Sequence, residues 1–457
     1  MVFKELKDIS PIDWIGEIPN EWSLKKLKYL VCTVKGYAFK SELFEDNGVP
    51  IIKTTDIKNG EVKECNTFIN EELVSDYENV RLKENDILMS TVGSKPEVVN
   101  SAVGQIGRVQ KKYEGALLNQ NAVILRCKSE DVYNDYLYYF LISNPYRKYL
   151  DLHAHGTANQ ASLSLKDILD FSMPLPPINT QISISNFLDD RLRNLNSLIH
   201  YKQKLIALLQ EQHQSIITEV VTKGLNPNVK MKDSGVEWIG DIPEHWEVRK
   251  LKNMAFVQAS NVDKKLHENE EEILLCNYVD VYYNDVINKK IEFMKATAKK
   301  EQIEKFTLKE NDVIITKDSE SPFDIAVPAW VEKDLPGVLC GYHLSHIRPN
   351  QEKLIGKYLL YCLKSDFIRQ QFYSSANGVT RYGLSKDSIR NALFPMPPTN
   401  EQIDIANYLH RQNEVTIQSV YFIKEQVRKM NEYKQSLIAE VVTGKLDVYD
   451  YANVEKV

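Results

Sequence analysis

The sequence reads PLPPINTQISISNFL over residues 174–188 and PMPPTNEQIDIANYL over residues 395–409, a separation of 221 positions (395 − 174). A proline pair cannot continue a helix and forces extended backbone on the residue before each ring. Asn179 then stands as an N-cap, as does Thr399 or Asn400 in the second copy, and Thr399 as cap puts Gln402 at the capping-box position. Past each start the sequence meets no Gly or Pro until Gly224 and Gly444. About 43 residues at 1.5 Å rise give a helix of roughly 65 Å, too long for a compact globule.

Working outward, the repeat takes in the whole chain. WIGEIPNEWSLKKLK from Trp14 recurs as WIGDIPEHWEVRKLK from Trp238, LKENDILMS from Leu82 as LKENDVIIT from Leu308, and SIITEVVTKGL from Ser215 as SLIAEVVTGKL from Ser436. The shifts are 224 (238 − 14), 226 (308 − 82) and 221 (436 − 215), so the copies differ by short loop insertions. A period this long describes two copies of one module, not a solenoid. Each module has a W-I-G-x-I-P-x-x-W lead-in, a variable mixed α/β zone and one long helix. In the first copy VPIIKTTDI, NDILMSTVG and NAVILRCK read as strands, and NDYLYYFLISNPYRKYL as one amphipathic helix. Their counterparts in the second are NDVIITKD, YHLSHIRP and IGKYLLYCLKSDFIRQQF.

The long helices carry a three-and-four apolar pattern. In the first it runs through Leu192, Leu195, Ile199, Ile206, Leu209, Ile216 and Val220, with Lys202 and His213 in register. In the second it runs through Asn413, Thr416, Val420, Ile423, Val427, Met430, Lys434, Leu437 and Val441. A 3.5-residue repeat over several heptads predicts a coiled coil. Two copies on one chain related by a pseudo-two-fold axis would pair antiparallel. The expected fold is therefore α+β: two mixed α/β domains in tandem, separated by two long helices that form an antiparallel coiled coil. The expected segments are 1–175 (first domain with lead-in), 176–224 (central long helix), 225–396 (second domain with lead-in) and 397–457 (C-terminal long helix and tail).

Composition narrows the class. A chain of 457 residues with 43% hydrophobic and 26% charged residues is ordinary for a globular protein of two or more domains. No apolar run is long enough to span a bilayer, and MVFKELKDIS has no export h-region, so a cytoplasmic location and no membrane partner are expected. Six scattered cysteines without a C-x-x-C pair predict reduced thiols and no zinc site. The net charge of −6 does not decide for or against nucleic acid, because phosphate binding needs only a local basic face.

Catalytic signatures are missing. The Asn144-Pro145-Tyr146 run has one proline where an adenine methyltransferase motif needs two, and it reads as a helix start or bend. No G-x-G-x-x-G or Walker sequence occurs. The repeated Glu84-Asn85-Asp86 and Glu310-Asn311-Asp312 read as turns entering strands, not as metal ligands. No cofactor is expected.

The doubled P-[LM]-P-P-x-x-x-Q-I-x-I motif, the doubled lead-in and the closing EVVTGKL resemble the specificity (S) subunits of type I restriction–modification systems, in order and over essentially the whole chain. The resemblance implies two target-recognition domains spaced by the paired helices, no catalytic role, and a bipartite asymmetric site in double-stranded DNA. It implies two methyltransferase (M) subunits and restriction (R) subunits as partners. Two rivals stand beside it: a protein-interaction scaffold with two modules on a coiled-coil spacer, and a solitary nuclease.

Base edges are read by Arg, Lys, Asn, Gln, Ser and Thr presented on loops. In the first module these are Lys53, Thr54 and Thr55; Ser90, Thr91, Ser94 and Lys95; Asn119, Gln120 and Asn121; and Thr157, Asn159 and Gln160. In the second they are Lys317 and Ser319; Tyr342 and His343; and Asn377, Thr380, Arg381 and Tyr382, with Arg381 the foremost candidate for a guanine. The basic runs Lys25-Lys26-Lys28 and Arg249-Lys250-Lys252 suit either phosphates or a solvated face, and Lys111-Lys112 reads as a hairpin tip.

Overall fold

A computed structural model describes residues 6–7, 15–94, 101–156, 160–378 and 380–448. The chain divides into two compact units. The first holds Met1–Tyr201 and Glu425–Val457, and the second Lys202–Lys424. Each unit thus takes the opening of one long helix and the closing part of the other.

The long helices span Ile178–Lys223 and Thr399–Val442. Every residue of the predicted seam is buried or half-buried, while Leu198, Tyr201, Leu205 and Leu208 between them are exposed. In the first unit Ile184, Leu188 and Leu192 share a core with Leu437, Ile438, Val441 and Val442. There Lys434 Nζ donates to Asn196 Oδ1 at 2.8 Å. In the second unit Ile217, Val220 and Val221 share a core with Ile405, Ala406 and Leu409, and His213 Nε2 lies 3.0 Å from Asn413 Oδ1. Within each unit the opening turns of one helix meet the closing turns of the other, so the pairing is antiparallel. Lys434 holds its ammonium at the seam's polar edge, where burial lowers its pKa.

The repeated glutamine does not form a capping box. Thr399 is already helical, so Gln402 stands one position past the box. The side chain instead turns inward and is fully buried in both units. Gln181 Nε2 donates to the carbonyls of Asp131 and Pro176, both at 2.8 Å, and its Oε1 accepts from Tyr133 N at 2.8 Å. Gln402 Nε2 donates to Lys353 O at 2.9 Å and Pro397 O at 3.0 Å, and its Oε1 accepts from Ile355 N at 2.9 Å. One amide thus satisfies three backbone groups and ties the long helix to the loop that starts a short helix, Asn134–Leu141 or Gly356–Lys364.

A tyrosine on that short helix makes the second tie. Tyr136 Oη lies 2.9 Å from Pro174 O and 3.0 Å from Val442 O, and Tyr358 Oη lies 2.9 Å from Pro395 O and 3.5 Å from Val221 O. Each hydroxyl sits between the strand that precedes one long helix and the last turn of the other. Burial pushes both phenols well above their ordinary range. The tryptophan of the lead-in closes the helix end. Gly444 has φ +75°, and a Cβ there would lie 2.5 Å from Pro19 Cδ and 2.9 Å from Trp22 Cη2. Gly224 has φ +77°, and a Cβ there would lie 3.1 Å from Trp246 Cζ2. Trp14 lies outside the described residues.

The globular zones share a frame. In the first unit a six-stranded sheet carries Val31–Lys35, Ala122–Cys127, Ile87–Ser90 and Ile106–Arg108 as neighbours. In the second a five-stranded sheet carries Ala255–Ala259, Leu344–Pro349, Val313–Thr316 and Pro328–Val331 in the same order. A smaller sheet in each unit pairs Val49–Ile52 with Leu117–Leu118, or Glu271–Cys276 with Leu335–Cys340, in parallel. The amphipathic stretch read as one helix is two, Asn134–Leu141 and Asn144–His153, broken at Ser143. Pro145 has no N–H to donate back across that break. Asn144 opens the second helix, as the single-proline motif suggested. Lys111-Lys112 forms a 3-10 turn, Lys111–Tyr113, not a hairpin tip; Lys112 Nζ lies over the Tyr113 ring at 4.8 Å.

The L-K-E-N-D turns are built as turns. Asn85 and Asn311 are left-handed, at φ 54–73° in the company of Asn59 and Asn121. The next aspartate folds back, so that Lys83 N and Lys309 N each donate to it at 2.8 Å. Asp86 then accepts from Arg126, and Asp312 from Arg348 Nε at 2.8 Å and Nη2 at 2.7 Å, with His346 Nε2 at 2.7 Å. Burial pushes the Asp312 carboxyl up, but Arg348 and His346 outweigh it and hold it below its ordinary value. Among the described residues no cluster of His, Cys, Asp and Glu has a metal-holding arrangement, all six thiols are free, and no helix is long and apolar enough to cross a membrane.

Two outcomes are expected. Gln181→Leu strands two carbonyls and one N–H, and it should cost about 2–4 kcal/mol. Hydrogen exchange on the full chain in rising urea should show the loss at Tyr133 and the opening turns of the first long helix before it appears in the second unit. For Asp312, a folded pKa below the unfolded one gives stability that is complete above the ordinary carboxylate range and lost as pH falls through the folded value. Calorimetric unfolding of Asp312→Asn should therefore give a lower Tm at pH 6 and a shallower fall in Tm between pH 6 and pH 3 than the parent chain.

Candidate nucleic-acid interface

The four candidate stretches of the first unit, scattered between Lys53 and Gln160, are brought together by backbone pairing. Thr91 N and Oγ1 both donate to Asn121 O, at 2.7 and 2.9 Å, and Leu163 N donates to Thr91 O at 2.8 Å. Val92 and Gly93 pair with Ser162 and Ala161, which places the 90–94 loop beside the hairpin that contains Gln160. Asn119 N donates to Ile52 O at 2.9 Å, and the chain runs straight on into Lys53–Thr55. Lys95, Thr157 and Asn159 lie outside the described residues.

The second unit repeats the arrangement. Lys317 N donates to His343 O at 3.1 Å, and Leu384 N donates to Lys317 O at 2.8 Å. Asp318 and Ser319 pair with Gly383 and Tyr382, which joins the loop to the hairpin of Asn377, Thr380 and Arg381. Glycine makes each hairpin possible. A Cβ on Gly156 would lie 1.9 Å from Gln160 O, and one on Gly378, at φ +144°, would lie 2.0 Å from Arg381 O.

The structure also supplies a stretch that the sequence reading passed over. Gly341 N donates to Cys276 O at 2.9 Å, so the next residues, Asn277–Asp280, adjoin the Tyr342–His343 turn. Asp280 accepts from Asn277 N at 2.7 Å, as Asp56 does from Lys53 N at 2.8 Å. Asn277-Tyr278-Val279-Asp280 is thus the counterpart of Lys53-Thr54-Thr55-Asp56. The offset of 224 (277 − 53) equals that of the lead-in, the one signal in the sequence that marked it.

Exposure sorts the candidates. Lys53, Thr54, Thr55, Thr91, Ser94, Gln120, Asn121 and Gln160 reach the surface, as do Lys317, Tyr342, His343, Asn377, Thr380, Arg381 and Tyr382. Three do not, and these are corrections. Ser90 closes a strand with its side chain inward, fully buried, its hydroxyl donating to Val92 O at 3.0 Å. Asn119 is buried with its Oδ1 on Gln120 N at 2.8 Å. Ser319 is buried and accepts from Ser321 N at 3.2 Å. Ser90 and Asn119 spend their side-chain oxygens on their own loops, and Ser319 also bonds the Tyr278 side chain.

The two surfaces differ in chemistry. Among the described candidates the first presents hydroxyls, amides and the ammonium of Lys53, which lies over the Phe44 ring at 4.7 Å. The second is aromatic: Tyr342 is 51% exposed, Phe323 70% and Tyr283 78%, and Tyr278 stacks on Tyr282 at 5.5 Å. Tyr282 Oη donates to Asp324 Oδ2 at 2.8 Å, and Lys317 Nζ lies 4.7 Å from the Tyr342 ring centroid. Exposed apolar groups clustered this way mark a contact surface. The first lysine run after a lead-in is fully partnered, and of the second run Arg249 is, while Lys250 and Lys252 are exposed. Lys25 pairs with Asp131 at 2.6 Å, Lys26 and Lys28 pair with Asp170 at 3.2 and 3.4 Å, and Arg249 pairs with Glu247 at 2.6 Å. Lysine hydrogen bonds lower both aspartate pKa values.

Comparison with known proteins gives the same picture. A family model described as "Type I restriction modification DNA specificity domain" matches residues 19–208 and 243–429. The chain is 24% identical over 446 residues to the putative type I restriction enzyme MjaX specificity subunit of Methanocaldococcus jannaschii, covering 95% of this chain and 96% of the relative. It is 21% identical over 448 residues to the EcoKI specificity subunit of Escherichia coli K12, covering 94% and 90%. A solved chain from work on "complex assembly and conformational transition of the type I R-M system" shares the fold at a TM-score of 0.68 and 14% identity, over 94% of this chain and 99% of that one. The HsdS subunit from Thermoanaerobacter tengcongensis does so at 0.51 and 14%, over 94% and 98%.

Gly378→Ala meets both a steric and a backbone penalty, so the hairpin must open. Exchange at Asn377 N–H and Gly383 N–H, which bond Gly383 O and Asn377 O at 3.1 and 2.9 Å, should quicken at least fivefold, about 1 kcal/mol, while the sheet amides of the same unit keep their rates.

Proposed function

Because this chain belongs to the DNA-specificity subunits of type I restriction–modification systems, we propose that each compact unit reads one half of a bipartite, asymmetric site in double-stranded DNA through its own loop cluster. The observation that carries this is the convergence, in both units, of four distant stretches on one framework. The framework repeats and the side chains on it do not. A protein that must test two different short sequences with one fold needs that division, because base identity is read by side chains on loops while the fold supplies position.

The chain is a recognition subunit with no chemistry of its own, and it works with methyltransferase and restriction subunits in such a system. Two methyltransferase subunits per chain, a cytoplasmic location and a role for the paired helices in fixing the half-site spacing complete the proposal. The candidate readers in the first unit are Lys53, Thr54, Thr55, Thr91, Ser94, Gln120, Asn121 and Gln160. In the second they are Lys317, Tyr342, His343, Asn377, Thr380, Arg381 and Tyr382, with Tyr278 and Val279 added. Family membership leaves the protein-interaction scaffold and the solitary nuclease without support.

Exchange of residues 20–175 for those of a relative with another target should change one half of the methylated sequence and leave the other half and the spacing intact. Methylome sequencing of a host that carries the chimera with its methyltransferase subunit reads this directly. A change in both halves would end the modular reading.

A further inference from the structure

The second unit's reading surface holds a histidine whose polarity its neighbours dictate. His343 is fixed by its backbone: its carbonyl accepts from Lys317 N at 3.1 Å, and the turn closes through Leu344 N to Gly341 O at 3.1 Å. Gly341 packs so closely on its neighbour that a Cβ there would lie 2.7 Å from Cys276 O. The ring places Nδ1 2.8 Å from Asp318 Oδ2. An ionised carboxylate only accepts, so Nδ1 carries the proton. Arg381 Nη2, 3.4 Å from the same nitrogen, therefore does not donate to it but sits beside the carboxylate–imidazole pair. The imidazole is 40% exposed, and its Nε2 has no partner among the described residues. With the Nδ1 proton fixed, a neutral ring offers a lone pair at Nε2.

A lone pair at a DNA groove recognises a donor. The donors on base edges are the exocyclic amino groups: adenine N6 and cytosine N4 in the major groove, guanine N2 in the minor groove. This is the reverse of what lysine or arginine reads. The first unit lacks the pair, since Asn121 stands in the matching turn and Val92 in the matching strand. We propose that His343 reads an exocyclic amino group in the second unit's half-site through Nε2, with Asp318 as the positioning residue that fixes the tautomer. The proposal rests on the reading of this loop cluster as a DNA interface.

The test uses the full chain with its methyltransferase subunits at pH 8, on a duplex that carries its methylated sequence. Each adenine, cytosine and guanine of the second half-site is replaced in turn by purine, 2-pyrimidinone or hypoxanthine, each lacking the amino group, and Kd is measured. One position should lose about tenfold, the worth of a single hydrogen bond. His343→Ala should lose the same in the natural duplex and show no further loss with the analogue. Asp318→Leu should behave as His343→Ala does. Asp318→Asn, whose amide oxygen still accepts from Nδ1–H, should keep the wild-type profile. The inference is overturned if no amino-group dependence disappears in His343→Ala, if Asp318→Leu retains it, or if Asp318→Asn loses as much as Asp318→Leu. Exchange of residues 247–396 separates the two levels. A chimera that changes its half-site while His343 proves indifferent sinks this inference alone, whereas a chimera with unchanged sequence sinks the DNA reading beneath it.

Discussion

Two buried amides hold this architecture together. Gln181 and Gln402 each satisfy three backbone groups that burial removes from water, at distances between 2.8 and 3.0 Å. A buried polar group without a partner costs about 1–3 kcal/mol, so a side chain that answers three of them at once fixes its geometry firmly. The groups it joins belong to different levels of the fold: the turn that launches the long helix, and the loop that launches the short helix behind the recognition zone. Tyr136 and Tyr358 add the other rod's last turn to the same junction. Leu, Met or Glu in place of the glutamine offers at most part of the pattern, and this is why the same residue stands at both starts.

Around the junction, conservation between the halves follows physical necessity. The helix-ending glycines, the tryptophans against them, the left-handed asparagines and the arginine–aspartate pairs all recur, because each solves a backbone or burial problem present in both units. At the loop tips no such problem exists, and the residues diverge. Thr54 and Thr55 become Tyr278 and Val279, and Gln120 and Asn121 become Tyr342 and His343. The first surface offers paired amides and hydroxyls, the second an aromatic patch with a carboxylate-held imidazole. Both stand on the same hydrogen bonds, with Thr91 and Lys317 at the centre of each cluster. The two surfaces thus differ in their side chains on one shared backbone circuit.

Much of this was legible in the residues alone. The 221- to 226-residue shifts exposed the duplication, the proline pairs set the helix starts, and the three-and-four pattern named a seam whose every member is buried or half-buried. These features are local or periodic, and local sterics and burial suffice to produce them. Several readings went astray where a distant partner decides. Gln402 does not cap its helix because the groups that claim it, on Lys353 and Ile355, lie far back in the chain, out of reach of local sequence. Ser90, Asn119 and Ser319 looked like readers, since composition cannot say which way a strand-end side chain turns. Asn277–Asp280 was passed over because it keeps only the aspartate of its counterpart.

The sequence by itself determined the doubling, the rods, their seam and the family, each of which leaves a repeat, a period or a motif on the chain. Only the tertiary structure decided which loops meet, which polar groups are used up internally, and which atom of His343 is left to face a ligand. The meeting of the loops and the exposure of the His343 ring rest on hydrogen bonds between residues dozens of positions apart, and the inward turn of Ser90, Asn119 and Ser319 rests on the strands that carry them, so each exists only once the sheets have formed.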